Sequence, residues 1–314
     1  MPDSSRTPPI ADSPWPGCHG VRLRPDDLAE GYGRSAGTPV LEAELVNATV
    51  GAPEGRELWH LAADVELPRG PVRVEQRLTL EADGSYVLVA DDSSLRVDPG
   101  GTLTLQAPRE SMSRQLVTTY GVPLLLHGRK TLVLHACGAI PPDGDGAVIV
   151  CGPSGAGKST LLVALIAAGW RAISEDLCVV DSREPSPVVW PGPPWIRRDG
   201  DGPEGSYARF RTAEKTAWDI APWQVDRAAP IQQLVFMEHA AGDTIKTEDV
   251  DRADSVSHLA RLTAWLGESS LRAAATFAPC VQLAGSAMAT RVRFPVSDDW
   301  TTGAEKTLRR LAER

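Results

Sequence analysis

The chain has 314 residues, 42% of them apolar, with a formal net charge of −9 and a pI near 5.2. An acidic chain lacks the field that holds polyphosphate backbones, which speaks against nucleic acid as a partner and requires any phosphate binding to come from a local site. No apolar stretch reaches the length of a membrane span, the longest lying around Leu161–Trp170.

Residues 1–20 begin MPDSSRTPPIADSPWPG and read as a disordered tail. Proline and small polar residues bury too little surface to order it, and it lacks the apolar core of a signal peptide. A β-rich accessory region is expected over 21–110. Val72, Val74, Leu78 and Leu80 alternate with Arg73, Glu75, Arg77 and Thr79, the period of a half-buried strand. Asp83-Gly84 turns that strand into Tyr86–Ala90, which predicts a hairpin. Shorter runs at Val40–Val46, Leu58–Val65 and Thr102–Gln106 complete a small sheet without any chemical constellation.

A second region, 111–314, opens with a helix expected from Ser111 to about His127, although Gly121 and Pro123 weaken it. Leu132–Ala136 and Ala147–Cys151 are apolar runs joined by a turn-rich spacer, Pro141 to Gly146, and should pair as an antiparallel hairpin. Lys158–Ala168 predicts a helix closed by Gly169. Trp170–Ile173 and Leu177–Asp181 flank the short element Ser174-Glu175-Asp176. The Pro- and Gly-dense stretch 183–211 reads as a long, mobile loop. Strand character returns at Ile231–Met237. Val256, Leu259, Leu262 and Leu266 recur at helical spacing, and Glu305–Arg314 reads as a final polar helix. Five scattered cysteines (Cys18, Cys137, Cys151, Cys178, Cys280) fit neither a disulfide framework nor zinc spacing, so a reducing, cytoplasmic setting is expected.

The chemistry concentrates in Gly152, Pro153, Ser154, Gly155, Ala156, Gly157, Lys158 and Ser159, which satisfy GxxxxGK[ST]. Glycines let successive backbone N–H groups turn toward phosphate oxygens, and the following helix aims its positive end at the same place. Lys158 can reach the β- and γ-phosphates, the Ser159 hydroxyl can take a magnesium position, and Thr160 follows in the first turn. A strand before and a helix after are the context this loop requires. ATP with Mg2+ is the expected ligand.

The segments LVLHACGAI and AVIVCGPSGAGKSTLLVALIAAGWRAISED together resemble the catalytic core of HPr kinase/phosphorylase. They look still more like the HPr-kinase-related proteins encoded beside lasso-peptide genes, which phosphorylate a serine of a precursor peptide. The resemblance implies an α/β fold, with a P-loop mixed sheet like that of the HPr kinase and phosphoenolpyruvate carboxykinase group and an N-terminal β-rich region. It also implies roles for His135, on the strand before the hairpin, and for the acidic pair after the helix. Asp176 would be the base, and Glu175 would share catalysis and magnesium with Ser159. Arg197, in Pro194-Trp195-Ile196-Arg197, and Lys215, after Glu214, are candidate phosphate or substrate clamps. Glu175 stands where HPr kinases carry Asp, and their glycine-containing signature is not found, which speaks against HPr itself as acceptor.

Other residues carry weaker signals. Arg209 and Arg211 are secondary clamp candidates. Trp190, Trp195, Trp218 and Trp223 read as loop packing before adenine contacts. His19, His60, His127, His239 and His258 show no metal-ligand spacing and read as structural or exposed. The expected function is an ATP-dependent kinase that phosphorylates a serine hydroxyl of a peptide or protein, with no nucleic acid or membrane partner and room for a homo-oligomer. A regulatory ATPase or sensor module, and a small-molecule kinase, are the alternatives.

Overall fold

Alternating apolar and charged residues build the first third of the chain into one sheet. In the computed structural model, the described residues are 15–314 apart from 30–31, 37–38, 68–69, 127–128, 130, 184, 212–214, 264–268 and 296–299. The architecture is mixed α/β, with large mixed sheets and few helices. Strands β1 (Trp15–Cys18) and β2 (Val21–Arg24), a short helix α1 (Asp26–Ala29), and strands β3 (Arg34–Ser35) and β4 (Leu41–Asn47) come first. They are followed by β5 (Arg56–Leu67), β6 (Gly70–Leu80), β7 (Tyr86–Ala90), β8 (Ser93–Val97) and β9 (Thr102–Gln106). The nine strands run β3-β1-β2-β4-β9-β8-β7-β6-β5. Leu78 is buried while Arg73, Glu75 and Arg77 are exposed, the alternation of a sheet with one wet face.

Two expectations change here and one holds. The tail reading fails at Trp15–Cys18, which is strand β1, and residues 1–14 lie outside the described residues. The sheet is larger than expected, because β1 to β3 and β8 join it. Strand β8, Ser-Ser-Leu-Arg-Val, is short and half polar, so its pattern says little by itself. The Asp83-Gly84 hairpin is present as the antiparallel β6–β7 pair.

A helical stretch covers the dry face: α2 (Glu110–Gln115), a π-helical turn (Leu116–Gly121) and α3 (Val122–Leu126). Pro123 directly follows the π-helical turn inside one continuous helical stretch, so Gly121 and Pro123 do not end it. Leu116, Val117, Val122 and Leu126 pack against Leu88, Leu95 and Leu103, and the same core includes Val133, Leu177 and Val179 of the second sheet. His127 lies outside the described residues.

The second sheet is built on β10 (Thr131–Ile140) and β11 (Ala147–Cys151), paired antiparallel as the turn-rich spacer predicts. Helix α4 (Lys158–Ala167) ends before Gly169, whose φ is +85°. Strands β12 (Arg171–Ser174) and β13 (Leu177–Asp181) both pair with β10. The 183–211 stretch is not the structureless loop expected. It contains β14 (Val188–Trp190), β15 (Trp195–Arg198) and β16 (Ala208–Arg211); β15 and β16 pair with β17 (Thr216–Asp219) in a three-stranded sheet. Its prolines fall largely between these short strands, where they leave the ladders intact.

Strand β18 (Ala229–Ala240) runs parallel to β11, and β20 (Met288–Pro295) runs parallel to β18. Strand β19 (Lys246–Asp249) closes that edge. Helices α5 (Arg252–Leu262) and α6 (Ser269–Ser286) cover one face, while α4 and α7 (Trp300–Ala312) cover the other. Both sides of β11 are therefore buried, Val148 and Val150 toward α4, Ala147 and Ile149 toward Leu259 and Leu283. Leu266 falls outside the described residues. Helix α7 is not the polar element expected from Glu305–Arg314. It begins five residues earlier, and Ala304, Leu308 and Leu311 form a buried stripe against α4. No helix among the described residues is long and apolar enough to cross a membrane.

Candidate functional site

The glycine-rich loop leaves the buried end of β11 and turns directly into α4. Gly155 and Gly157 have φ of +80° and +86°, conformations that side chains resist. Gly157 is the N-cap of α4, and no side chain caps the helix, so the first-turn N–H groups remain directed out along the helix axis. Lys158 is buried, and its Nζ donates to the Gly152 and Pro153 carbonyls, each at 2.9 Å. Burial pushes its ammonium pKa down, opposed by the nearby Asp176 and Glu175 charges.

Across from the loop lies the turn between β12 and β13. Asp176 has φ +68°, and its backbone carbonyl accepts from the Ala136 N–H at 3.1 Å, which holds the turn against β10. The β10–β13 register pairs His135 with Leu177 and so sets the imidazole beside Asp176, Nδ1 to Oδ1 at 3.3 Å. The other carboxylate oxygen of Asp176 accepts from the Arg197 guanidinium. Burial by itself would raise the Asp176 pKa. The His135 hydrogen bond and the Arg197, His135 and Lys215 charges together outweigh it and hold the carboxyl well below the usual carboxylate range.

Glu175 behaves oppositely. Burial raises its pKa, as does the adjacent Asp176 charge, against Arg197 and the Ser159 hydrogen bond. Its Oε1 accepts from the Ser159 hydroxyl at 2.6 Å, and its Oε2 accepts from the Arg197 backbone N–H at 3.5 Å. One carboxylate thus faces α4 while its neighbour faces the basic wall of β15. Among the described residues no cluster of three or more His, Cys, Asp and Glu could hold a metal. Ser159 and Glu175 nonetheless offer two adjacent oxygen donors. That small set suits magnesium, which keeps several waters and takes further oxygens from phosphate.

These groups share one cavity of about 270 Å³. From the loop and α4 it is lined by Ser154, Gly155, Gly157, Lys158, Ser159 and Thr160. His135, Glu175, Asp176, Arg197 and Lys215 line the opposite side. Gly152, Pro153 and Ala156 belong to the loop but not to this lining. Arg209 pairs instead with Asp219 and lies over Trp195, 6.0 Å from the ring centroid, and Arg211 is exposed away from the cavity. Trp190 and Trp195 are buried in packing, and the Trp218 indole donates to the Gly200 carbonyl at 3.0 Å. Glu214 lies outside the described residues.

Several neighbours were not legible as site residues. Arg198, Asp199 and Gly200 extend the cavity rim; their signal was adjacency to Arg197. Tyr120, in the π-helical turn, donates to Gln76 of β6 at 3.2 Å, and burial raises its phenol pKa, with the Arg197 charge lowering it and the Asp176 charge raising it. His19 is buried near Ser174, and His239 touches the loop; neither had a sequence signal beyond being histidine.

No protein-family model matches the sequence, and no curated protein matches it. Among solved structures, the chain is similar to the HPr(Ser) kinase/phosphatase from Coxiella burnetii, with a TM-score of 0.33 and 13% identity, covering 57% of this chain and 94% of that one. A likeness of that degree says nothing about chemistry.

Proposed function

We propose that the chain is an ATP-dependent kinase that transfers the γ-phosphate to a hydroxyl, that of a serine in a peptide or protein. The observation that carries this reading is the position of Asp176. Its carboxylate, paired with His135 and Arg197, lines the same cavity as the glycine-rich loop, Lys158 and Ser159. A site for nucleotide occupancy alone has no need of a general base.

In this reading the loop and first-turn N–H groups wrap the triphosphate, and Lys158 exchanges its carbonyl partners for phosphate oxygens. Ser159 and Glu175 would hold magnesium, which would supply positive charge against that developing on the transferred phosphate. Arg197 and Lys215 grip the transferred group. As Arg197 turns toward phosphate its hold on Asp176 loosens, and that carboxylate becomes more basic when it must accept the serine proton. His135 keeps it oriented. The HPr-kinase-like motifs around 131–180 favour a serine acceptor in a precursor peptide, with a cytoplasmic setting.

The test is direct. The full chain is incubated with γ-labelled ATP, magnesium and serine-containing peptides encoded by neighbouring genes, and the peptides are weighed. A gain of one phosphate on a serine is expected. ATP hydrolysis without any transfer would overturn the kinase reading in favour of a regulatory ATPase.

A further inference from the structure

Strands β11, β18 and β20 are mutually parallel, and in open α/β sheets ligands gather outside the carboxyl ends of such strands. At that edge, beside the glycine-rich loop, stands an aromatic cluster with no part in the chemistry above. His239 comes from the end of β18, Phe294 from the end of β20, and Trp300 opens α7. The His239 and Trp300 rings meet edge to face with centroids 5.2 Å apart, and Phe294 and Trp300 are also 5.2 Å apart. Phe294 is fully buried, Trp300 half-buried and His239 exposed, so the cluster grades from core to solvent.

The cluster is tied to the loop twice. His239 Nε2 donates to the Ala156 carbonyl at 3.0 Å. The Trp300 indole lies so close to Gly157 that a Cβ there would come within 2.9 Å of Cζ2. Gly155 and Gly157, on the same turn, line the cavity of about 270 Å³. The indole lies just outside that lining, is held by a buried phenyl ring, is partly open to solvent and abuts the glycine-rich loop, which puts a flat apolar group next to the charged cavity, as a nucleobase requires.

We infer that Trp300, backed by Phe294 and flanked by His239, is the stacking platform for the base of a nucleoside triphosphate. The inference rests on the reading that the loop binds the phosphates. Every base has a π-face, and stacking on an aromatic side chain is worth enough to dominate the affinity added by the nucleoside. The competing role, bracing Gly157 by packing alone, would serve the phosphates and ignore the base.

Inorganic tripolyphosphate separates the two, because it fills the loop and carries no base. Affinities of ATP and of tripolyphosphate, each with magnesium, are measured for wild type, Trp300→Leu and Trp300→Phe by calorimetry. Trp300→Leu should weaken ATP by about tenfold or more and leave tripolyphosphate within about twofold, while Trp300→Phe, which keeps a ring, restores most of the ATP affinity. If Trp300→Leu does not fold, indole fluorescence decides. ATP should quench it and tripolyphosphate should not, and the quench should shrink in Trp300→Phe. Equal loss of both ligands, or of neither, overturns the platform. Wild type that binds the two equally overturns it while leaving the phosphate reading intact. Wild type that binds neither overturns both.

Discussion

The Ser159 hydroxyl donates to Glu175 Oε1 at 2.6 Å, joining the first turn of α4 to the acidic turn between β12 and β13. The two donors proposed for magnesium are therefore already side by side. Ser159→Ala should leave triphosphate binding measurable but reduce its magnesium dependence. Lys158→Ala should lower triphosphate affinity by at least about tenfold, since hydrogen bonds to charged groups contribute roughly 1.5–3 kcal/mol. Titrations with and without magnesium check both. An unchanged isotherm for Lys158→Ala would sink the phosphate reading of the loop.

Asp176→Asn should keep ATP binding and lose phosphoryl transfer by about 10²–10⁴-fold, the usual worth of a general base. Asparagine matches the shape, but it cannot accept the serine proton. Single-turnover transfer measured beside ATP affinity separates the two effects. Weakened metal binding, rescued by added magnesium, would mean that Asp176 serves only the metal.

Gly192→Ala should destabilise the chain by about 1–3 kcal/mol, the usual cost of overpacking. A Cβ at Gly192 would lie 1.9 Å from Ser174 Oγ and 3.0 Å from His19 Cε1. Ser174 Oγ donates to the Leu177 carbonyl at 2.6 Å, so the strain falls on the turn that carries Glu175 and Asp176. A denaturant midpoint equal to that of wild type would show that the close approach relaxes without cost.

His19 makes a pH prediction. It is buried, its Nδ1 finds no hydrogen-bond partner among the described residues, and burial lowers its pKa from 6.5 to about 4, against the pull of Asp176. Between these values the unfolded chain holds a proton that the folded chain does not. Stability should therefore rise with pH across that window and fall as pH drops from 6.5 toward 4, by on the order of 3 kcal/mol. His19→Asn, which tolerates the φ of +56° at this position, should flatten that slope. Thermal melts from pH 4 to 7 with equal slopes in both proteins would refute the assignment.

Local order was legible wherever one segment carried its own signal. The hairpin of β10 and β11, helix α4 closed by Gly169, and the glycine-rich turn follow from apolar runs, turn residues and positive-φ glycines, all short-range properties of the chain. The same holds for the β6–β7 hairpin. Where the signal was compositional, it misled. Proline and glycine between 183 and 211 suggested a mobile loop, yet three short strands form there because their partners, β13, β17 and β18, supply the ladders from outside the segment.

The assembly of the site belongs to tertiary structure. Glu175 and Asp176 are neighbours in sequence, but the left-handed turn at Asp176 sends one toward Ser159 and the other toward His135 and Arg197. That split gives adjacent carboxyls opposite pKa shifts, because burial dominates one and cationic partners dominate the other. Sequence spacing carries no such information. Nor could it bring Trp300 and His239 to the loop, from 143 and 82 residues beyond Gly157, since only the parallel pairing of β11, β18 and β20 aligns their ends. The sequence by itself determined the glycine-rich turn with its flanking strand and helix; the sheet order decided which other side chains meet it, because long-range strand pairing depends on partners that no local pattern names.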